Sequence, residues 1–224
     1  MFDLSQDNAD NQVLLIDKPV GITSFDVIRS LRRYTGIRKF GHAGTLDPIA
    51  SGLLICMSGS ATKLSRHFMD MPKVYSGTLV LGAETPSFDT ETEIIRSVST
   101  DNILDDDVSA ATKALTGTII QVTPIYAAVK VGGKPLYSYA RQGKDVSRPP
   151  RVVTVDEFNT GPREGDIVPF RIVCSTGTYV RTLVHDLGQS LGVGAHMASL
   201  RREAIGSYSV EDAIQLSDLQ PEGE

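Results

Sequence analysis

The chain has 224 residues, 41% of them hydrophobic, which suits one or two compact domains with a substantial core. No apolar run approaches the ~20 residues that span a bilayer, and the start, Met1-Phe-Asp-Leu-Ser-Gln-Asp, lacks the basic and apolar regions of a signal peptide, so a cytoplasmic protein with no membrane partner is expected. The formal net charge of −5 argues superficially against nucleic acid.

Val13-Leu-Leu-Ile reads as a short buried strand that ends at the turn Asp17-Lys-Pro-Val-Gly. Thr23 with Asp26 three residues on resembles a capping box, and Val27, Ile28, Leu31 and Tyr34 then recur at helical spacing, with Gly36 as the stop. Arg29, Arg32 and Arg33 lie off that apolar stripe. Next comes Lys39-Phe-Gly-His-Ala-Gly-Thr-Leu-Asp-Pro-Ile-Ala-Ser-Gly-Leu-Leu. Pro48 pushes Asp47 toward an extended conformation, so a bent loop is predicted there rather than a helix. The run Leu53-Leu-Ile-Cys-Met reads as a buried strand. A lone acid on a glycine-rich loop feeding a core strand is one way a scaffold presents a reactive group; the alternative is a surface Asp-Pro turn.

Residues 61 to 69 read as a short helix carrying Lys63, Arg66 and His67, with His67 a surface or packing residue rather than a catalyst. Lys73 to Gly82 alternates as a strand, with Tyr75, Gly77, Leu79 and Leu81 on one face. Residues 84 to 100 are polar and read as a loop with a short strand near Glu93 to Arg96. Leu104, Val108, Ala111 and Leu115 make a helical stripe, and Asp105, Asp106 and Asp107 suit its positive end. Gly117 to Thr123 is a strand. From Pro124 to Pro150, Tyr126, Tyr137 and Tyr139 interleave with cations around the turn Gly132-Gly133-Lys134-Pro135; aromatics among cations suit RNA contacts, and a hairpin with a tyrosine face is the alternative. Strands follow at Val152 to Phe158 and Ile167 to Cys174. A helix then carries Val180, Leu183, Val184, Leu187 and Leu191 on one face, with Arg181 off it, where an isolated arginine is ordinarily a solvated charge. After Arg202 a short acidic tail is expected. Cys56 and Cys174 sit in apolar runs without metal-ligand spacing, so buried reduced thiols and no zinc site are expected.

The charge is unevenly distributed. Acids crowd 84 to 107 and the last fourteen residues, whereas Arg29, Arg32, Arg33, Arg38 and Lys39 form one basic group and Lys130, Lys134, Arg141, Lys144, Arg148 and Arg151 another. Two clusters flanking the Asp47 loop and the aromatic segment favour a phosphate footprint over a mixed solvated surface.

The Asp47 stretch resembles the catalytic loop of the TruB family, the tRNA pseudouridine-55 synthases. Three further stretches support the likeness: Lys73-Val-Tyr-Ser-Gly-Thr-Leu-Val-Leu-Gly; the segment from Gln121 through Tyr126, Lys130 and Arg141 to Gly143; and Cys174-Ser-Thr-Gly-Thr-Tyr-Val-Arg-Thr-Leu-Val-His-Asp-Leu-Gly. They run in matching order from about Leu14 to Arg202. The resemblance implies an α+β (mixed α/β) pseudouridine synthase fold, a central, largely antiparallel sheet with flanking helices and an RNA-binding cleft. It implies one catalytic domain over 1–224 with an RNA-contacting insertion at about 124–151. About twenty residues follow Arg202, too few for the C-terminal PUA-type domain of many relatives. The implied activity is isomerisation of the T-loop uridine by base flipping, without metal or cofactor, by a monomer that takes the tRNA T-arm. The implied roles are an ionised carboxylate at Asp47, pairing of Arg181 with it, stacking of Tyr75 on the uracil with a share in proton transfer, and lining of the base pocket by Tyr179. His42 would fill the gap left by the flipped base; Lys18, Pro19, Lys63, Lys130 and Arg141 would contact the pocket or phosphates. Thr123-Pro124-Ile125-Tyr126 departs from the two prolines many relatives carry there, which bears on RNA contacts rather than chemistry. His185 and His196 read as structural. Two other readings are a tRNA-binding chaperone, as a main or accessory role, and a glycosidase, though the latter usually needs two carboxylates flanking the bond.

Overall fold

The computed structural model describes residues 11–127, 129–144, 146–148 and 150–219; the first ten residues and the Glu222 and Glu224 of the expected acidic tail lie outside it. In chain order the elements begin β1 (Val13–Lys18), α1 (Ser24–Thr35), β2 (Phe40–Ala43), β3 (Ala50–Ser58), a 3-10 turn (Gly59–Leu64), α2 (Ser65–Asp70) and β4 (Lys73–Leu81). They continue through β5 (Ala83–Glu84), β6 (Arg96–Ser97), α3 (Asp105–Ala114), β7 (Gly117–Val122), β8 (Lys130–Val131), β9 (Lys134–Pro135) and α4 (Leu136–Ala140). The last are β10 (Pro150–Thr160), β11 (Ile167–Cys174), α5 (Val180–Ser190), β12 (Ala195–Ile205), β13 (Tyr208–Ser209) and β14 (Ile214–Gln215). Among the described residues ten strands belong to one mixed sheet, and β5–β6 and β8–β9 are small separate ladders. Residues 1–76 with 200–224 form one compact unit and residues 77–199 a second, so the chain passes between them inside β4 and again inside β12.

In the first unit the strand order is β14-β1-β3-β12, with β2 also on β3. β1 and β2 run antiparallel to β3; β14 on β1 and β12 on β3 are parallel. The run Leu53 to Met57 is continuous because β3 is covered on both faces. Leu54 and Cys56 pack with Val27, Ile28 and Leu31 of α1. Leu53, Ile55 and Met57 pack on the other side with Ala61, Phe68 and Ile205. Helix α1 starts where Thr23 accepts from the Asp26 amide while the Asp26 carboxylate takes the Thr23 amide at 2.9 Å, and it stops at Gly36 in the left-handed conformation. The expected tail after Arg202 is instead built in: Ile214 pairs with Ile16, Leu219 enters the α1 core, and Gln215 donates to Asp17 at 2.9 Å.

In the second unit β4, β11, β10 and β7 follow one another, β10 antiparallel to both neighbours, with α3 against β10 and α5. The polar 84–100 segment makes its short strand at Arg96–Ser97, slightly later than predicted, pairing with Ala83–Glu84. Lys130–Val131 and Lys134–Pro135 form the hairpin expected at Gly132-Gly133.

Candidate active site

In the first unit Asp47 lies on the loop between β2 and β3, as the Asp-Pro step predicts, and is partly exposed. The loop is tied at three consecutive residues. Leu46 donates its amide to the buried Ser24 hydroxyl at 2.8 Å and accepts from it at 3.1 Å. The Asp47 carbonyl accepts from Ala50 at 3.0 Å, and the Pro48 carbonyl from Gly21 at 2.7 Å. Loops held this firmly aim a side chain as a helix or strand would.

Two buried cations sit behind this loop. Arg202 is 1% exposed and donates Nε to the Leu53 carbonyl at 2.7 Å and Nη2 to the Gly44 carbonyl at 3.1 Å. Gly52 faces it in the parallel β3–β12 pair at φ 101°, where a side chain would strike the Arg202 backbone, so glycine is required. Lys18 is fully buried at the end of β1, donating to the Pro19 and Ile22 carbonyls at 2.8 Å each. Loss of hydration lowers its pKa to about 8; the Asp47 and Asp26 carboxylates oppose that fall and the Arg202 charge adds to it. Lys18 thus places positive charge near Asp47, and Arg202 holds the backbone at Gly44 and Leu53 on either side of it.

Of the other candidates in this unit, Pro19 is exposed and lends its carbonyl to Lys18. His42 stands half-buried on β2, opposite Cys56 of β3, a strand not foreseen in the loop stretch. Burial, helped by the Arg202 charge, lowers its pKa below 6.5, so the ring is neutral at pH 7. Lys63 is exposed on the 3-10 turn, and Tyr75 is half-buried on β4.

In the second unit Arg181 is not the solvated helical charge its sequence position predicts. It is 3% exposed, and its Nη1 lies 3.5 Å from the carboxylate of Asp89, which is 1% exposed. Its Nη1 also reaches the Ser87 carbonyl at 3.3 Å and its Nη2 the Tyr126 carbonyl at 3.0 Å. The reason is non-local: the 85–92 turn and the Tyr126 carbonyl converge on the first turn of α5. Tyr179 precedes that helix, with its amide on Gln121 Oε1 at 2.8 Å and its carbonyl on Gln121 Nε2 at 3.1 Å. The Arg151 guanidinium lies 5.5 Å from its ring centroid. Lys130 is exposed on β8, and Arg141 is exposed beyond α4, 5.4 Å from the Tyr137 ring and 3.8 Å from Glu91.

Sequence reasoning missed Arg202, Asp89 and Gln121. Arg202 shares the face of Leu200 along β12, and that phase was the available signal that it faces inward. Gln121 likewise takes the buried phase of β7. Asp89 is hidden in an acidic stretch and nothing local marks it. Both cysteines are buried and neither forms a disulfide. Among the described residues no cluster of His, Cys, Asp and Glu could hold a metal ion, and no helix is long and apolar enough to cross a membrane.

Residues 32–180 match the family model of the TruB family pseudouridylate synthase N-terminal domain, and 181–222 match that of the tRNA pseudouridylate synthase B C-terminal domain. The tRNA pseudouridine synthase B of Endomicrobium trichonymphae is 44% identical over 214 residues, 96% of this chain and 93% of that protein. Its namesake from Thermobifida fusca is 45% identical over 218 residues, 94% of this chain and 74% of that one. A chain in the crystal structure of a Cbf5-Nop10-Gar1 complex superposes with a TM-score of 0.70 at 30% identity, over 92% of this chain and 52% of that chain. One in an H/ACA RNP bound to a substrate RNA containing 2'-deoxyuridine gives 0.68 at 28%, over 92% and 51%. This chain therefore spans about half the length of those solved chains. Models and relatives point to one class of enzyme, the pseudouridylate synthases. The chain belongs to the TruB family.

Proposed function

We propose that this enzyme isomerises the T-loop uridine, position 55, of tRNA to pseudouridine, acting in the cytoplasm as a monomer on the T-arm. The observation that carries the reading is the Asp47 loop, tied at Leu46, Asp47 and Pro48 and backed by the buried Lys18 and Arg202. The reaction breaks the C1′–N1 bond, turns the uracil over, joins C5 to C1′, releases the C5 proton and protonates N1, with no net change in composition. No metal or organic cofactor is needed for that balance. One ionised carboxylate is needed, whether it attacks C1′ or removes the C2′ proton, and Asp47 is that group. Arg181 pairs with Asp47 and fixes its rotamer through the planar guanidinium. Tyr75 stacks on the uracil, and Tyr179 lines the base pocket. His42 fills the gap in the RNA stack; its lowered pKa suits a neutral ring in that place, and the filled gap offsets the unstacking cost of a few kcal/mol. Lys18 and Pro19 shape the pocket floor, and Lys63, Lys130 and Arg141 meet phosphates.

The test is incubation with an unmodified T-arm hairpin and mapping of pseudouridine at nucleotide resolution. Conversion of the T-loop uridine is expected. Conversion only at other uridines, or none, overturns the proposal.

A further inference from the structure

The Arg181–Asp89 pair is held by a turn with an unusual backbone. Phe88, between Ser87 and Asp89, has φ 65°, a left-handed conformation that a bulky side chain rarely adopts. Its amide donates to Thr85 at 3.1 Å and its carbonyl accepts from Met197 at 2.9 Å. The residues on either side both serve Arg181: Ser87 through its carbonyl at 3.3 Å and Asp89 through its carboxylate at 3.5 Å. Turning Phe88 out of the left-handed region would swing those two acceptors apart.

The Phe88 ring has a partner of its own. It stacks on the imidazole of His185, with centroids 3.8 Å apart and planes 13° from parallel. His185 lies four residues after Arg181 on α5, one helical turn along the same face. The helix therefore meets the turn at two points, guanidinium to carboxylate and imidazole to phenyl. His185 Nδ1 is buried with no hydrogen-bond partner among the described residues, so that nitrogen does not explain the side chain's place. The stack does.

We propose that Phe88 and His185 are positioning residues for the isomerisation: their stacked rings keep residues 87–89 in the conformation that seats Asp89 and Ser87 on Arg181. The inference rests on the reading of Arg181 as a residue of the reactive site. The rings touch no reacting atom and act through the guanidinium's orientation. A planar ring on each side is what the stack requires, so charge on the imidazole is dispensable.

The test uses the full chain and the T-arm hairpin, in single turnover and at steady state, well below the lowest Tm of the set. Phe88→Gly removes the ring yet accepts positive φ, so it adds no backbone strain; His185→Ala removes the other ring. Each is expected to slow single turnover by about tenfold or more, as small misplacements of a positioned group do, with RNA Kd changed by less than about twofold. The ring-keeping Phe88→Tyr and His185→Phe are expected to recover the rate to within about threefold. In an Asp89→Asn background Phe88→Gly and His185→Ala should each slow the enzyme by clearly less than they do in the wild type, with only the Ser87 contact left to lose, because residues acting through one partner are not additive. A wild-type rate for Phe88→Gly while Asp89→Asn is slow overturns the proposal, as does a full additional loss in the double variants. Unchanged rates in both Asp89→Asn and Arg181→Lys overturn the reading of Arg181 beneath it, and the proposal with it.

Discussion

Each unit buries an arginine, and the two are answered differently. Arg202, 1% exposed, gives Nε and Nη2 to the carbonyls of Leu53 and Gly44 on the very stretch that carries Asp47. Arg181, 3% exposed, shares its Nη1 between the Ser87 carbonyl and the carboxylate of Asp89, an acid as deeply buried as itself. A guanidinium bonded to carbonyls keeps its positive charge, and Arg202 spends its bonds on the backbone of the stretch that carries Asp47. A guanidinium beside a buried carboxylate has part of its charge compensated there, and that contact also fixes its orientation. The lesson is that burial alone tells little about an arginine's role; the groups that answer its charge tell more.

Breaking the locked pair should have the larger consequences. Asp89→Asn removes a buried carboxylate 3.5 Å from the Arg181 guanidinium, which costs about 3 kcal/mol or more of stability; chemical denaturation measures it, and an unchanged midpoint would show that the pair is not structural. Arg181→Lys keeps the charge but loses the planar fork. Single turnover should fall about a hundredfold or more. Because Arg181 is buried, Tm should fall too, where a solvated arginine would have left it unchanged.

The field behind Asp47 is tested through Lys18, whose pKa is lowered to about 8 by burial. The folded state holds this proton less tightly than the unfolded chain, whose lysine titrates near 10.5. Unfolding therefore takes up a proton between about pH 8 and 10.5, and Lys18 makes folding stability rise with pH across that window. Activity should do the opposite: the rate falls above about pH 8 as Lys18 loses the charge that favours ionised Asp47. Lys18→Met should be slow at all pH values and lack that alkaline limb; a wild-type profile in the variant would remove Lys18 from the site.

How much of this was legible in the sequence follows the range of the interactions. The Thr23–Asp26 box, the Gly36 stop and the doubly buried strand at Leu53 to Met57 are local patterns, and they stand where predicted. The bend at Asp47 was readable from Pro48. Arg181 and Asp89 are ninety-two positions apart, and neither residue carries a mark of the other. Arg201 and Asp17 are further apart still, as are Gln215 and Asp17, which is why the tail read as loose acid rather than as a sheet edge. The positive φ of Phe88 had no signal, since glycine or asparagine is the usual occupant.

Smaller effects sharpen the contrast at its edges. Arg201 grips Asp17 by two bonds, at 3.1 and 2.8 Å. Burial of Asp17 works against ionisation, but the bonds from Arg201 and Gln215 prevail and leave its pKa below 3.8. The group thus contributes stability above about pH 4 that is lost as pH falls through the lower folded value. Asp17→Asn should cost about 1 kcal/mol at pH 7, since Arg201 is partly exposed, and the loss should vanish in strong acid. Smallest of all, Lys130→Ala or Arg141→Ala should weaken RNA binding a few-fold and reduce the salt slope by about one, with the rate of bound substrate unchanged. A change in single-turnover rate would move them from phosphate contacts into the chemistry.

The most direct measurement is single-turnover conversion of a T-arm hairpin by wild type and Asp47→Asn, with RNA affinity measured at the same salt concentration. Asp47 should be indispensable to chemistry and nearly irrelevant to affinity, because phosphate contacts dominate binding. The expected result is no detectable pseudouridine from the pure variant, with Kd within about tenfold of wild type. Measurable turnover by Asp47→Asn would contradict the assignment of Asp47 as the catalytic carboxylate.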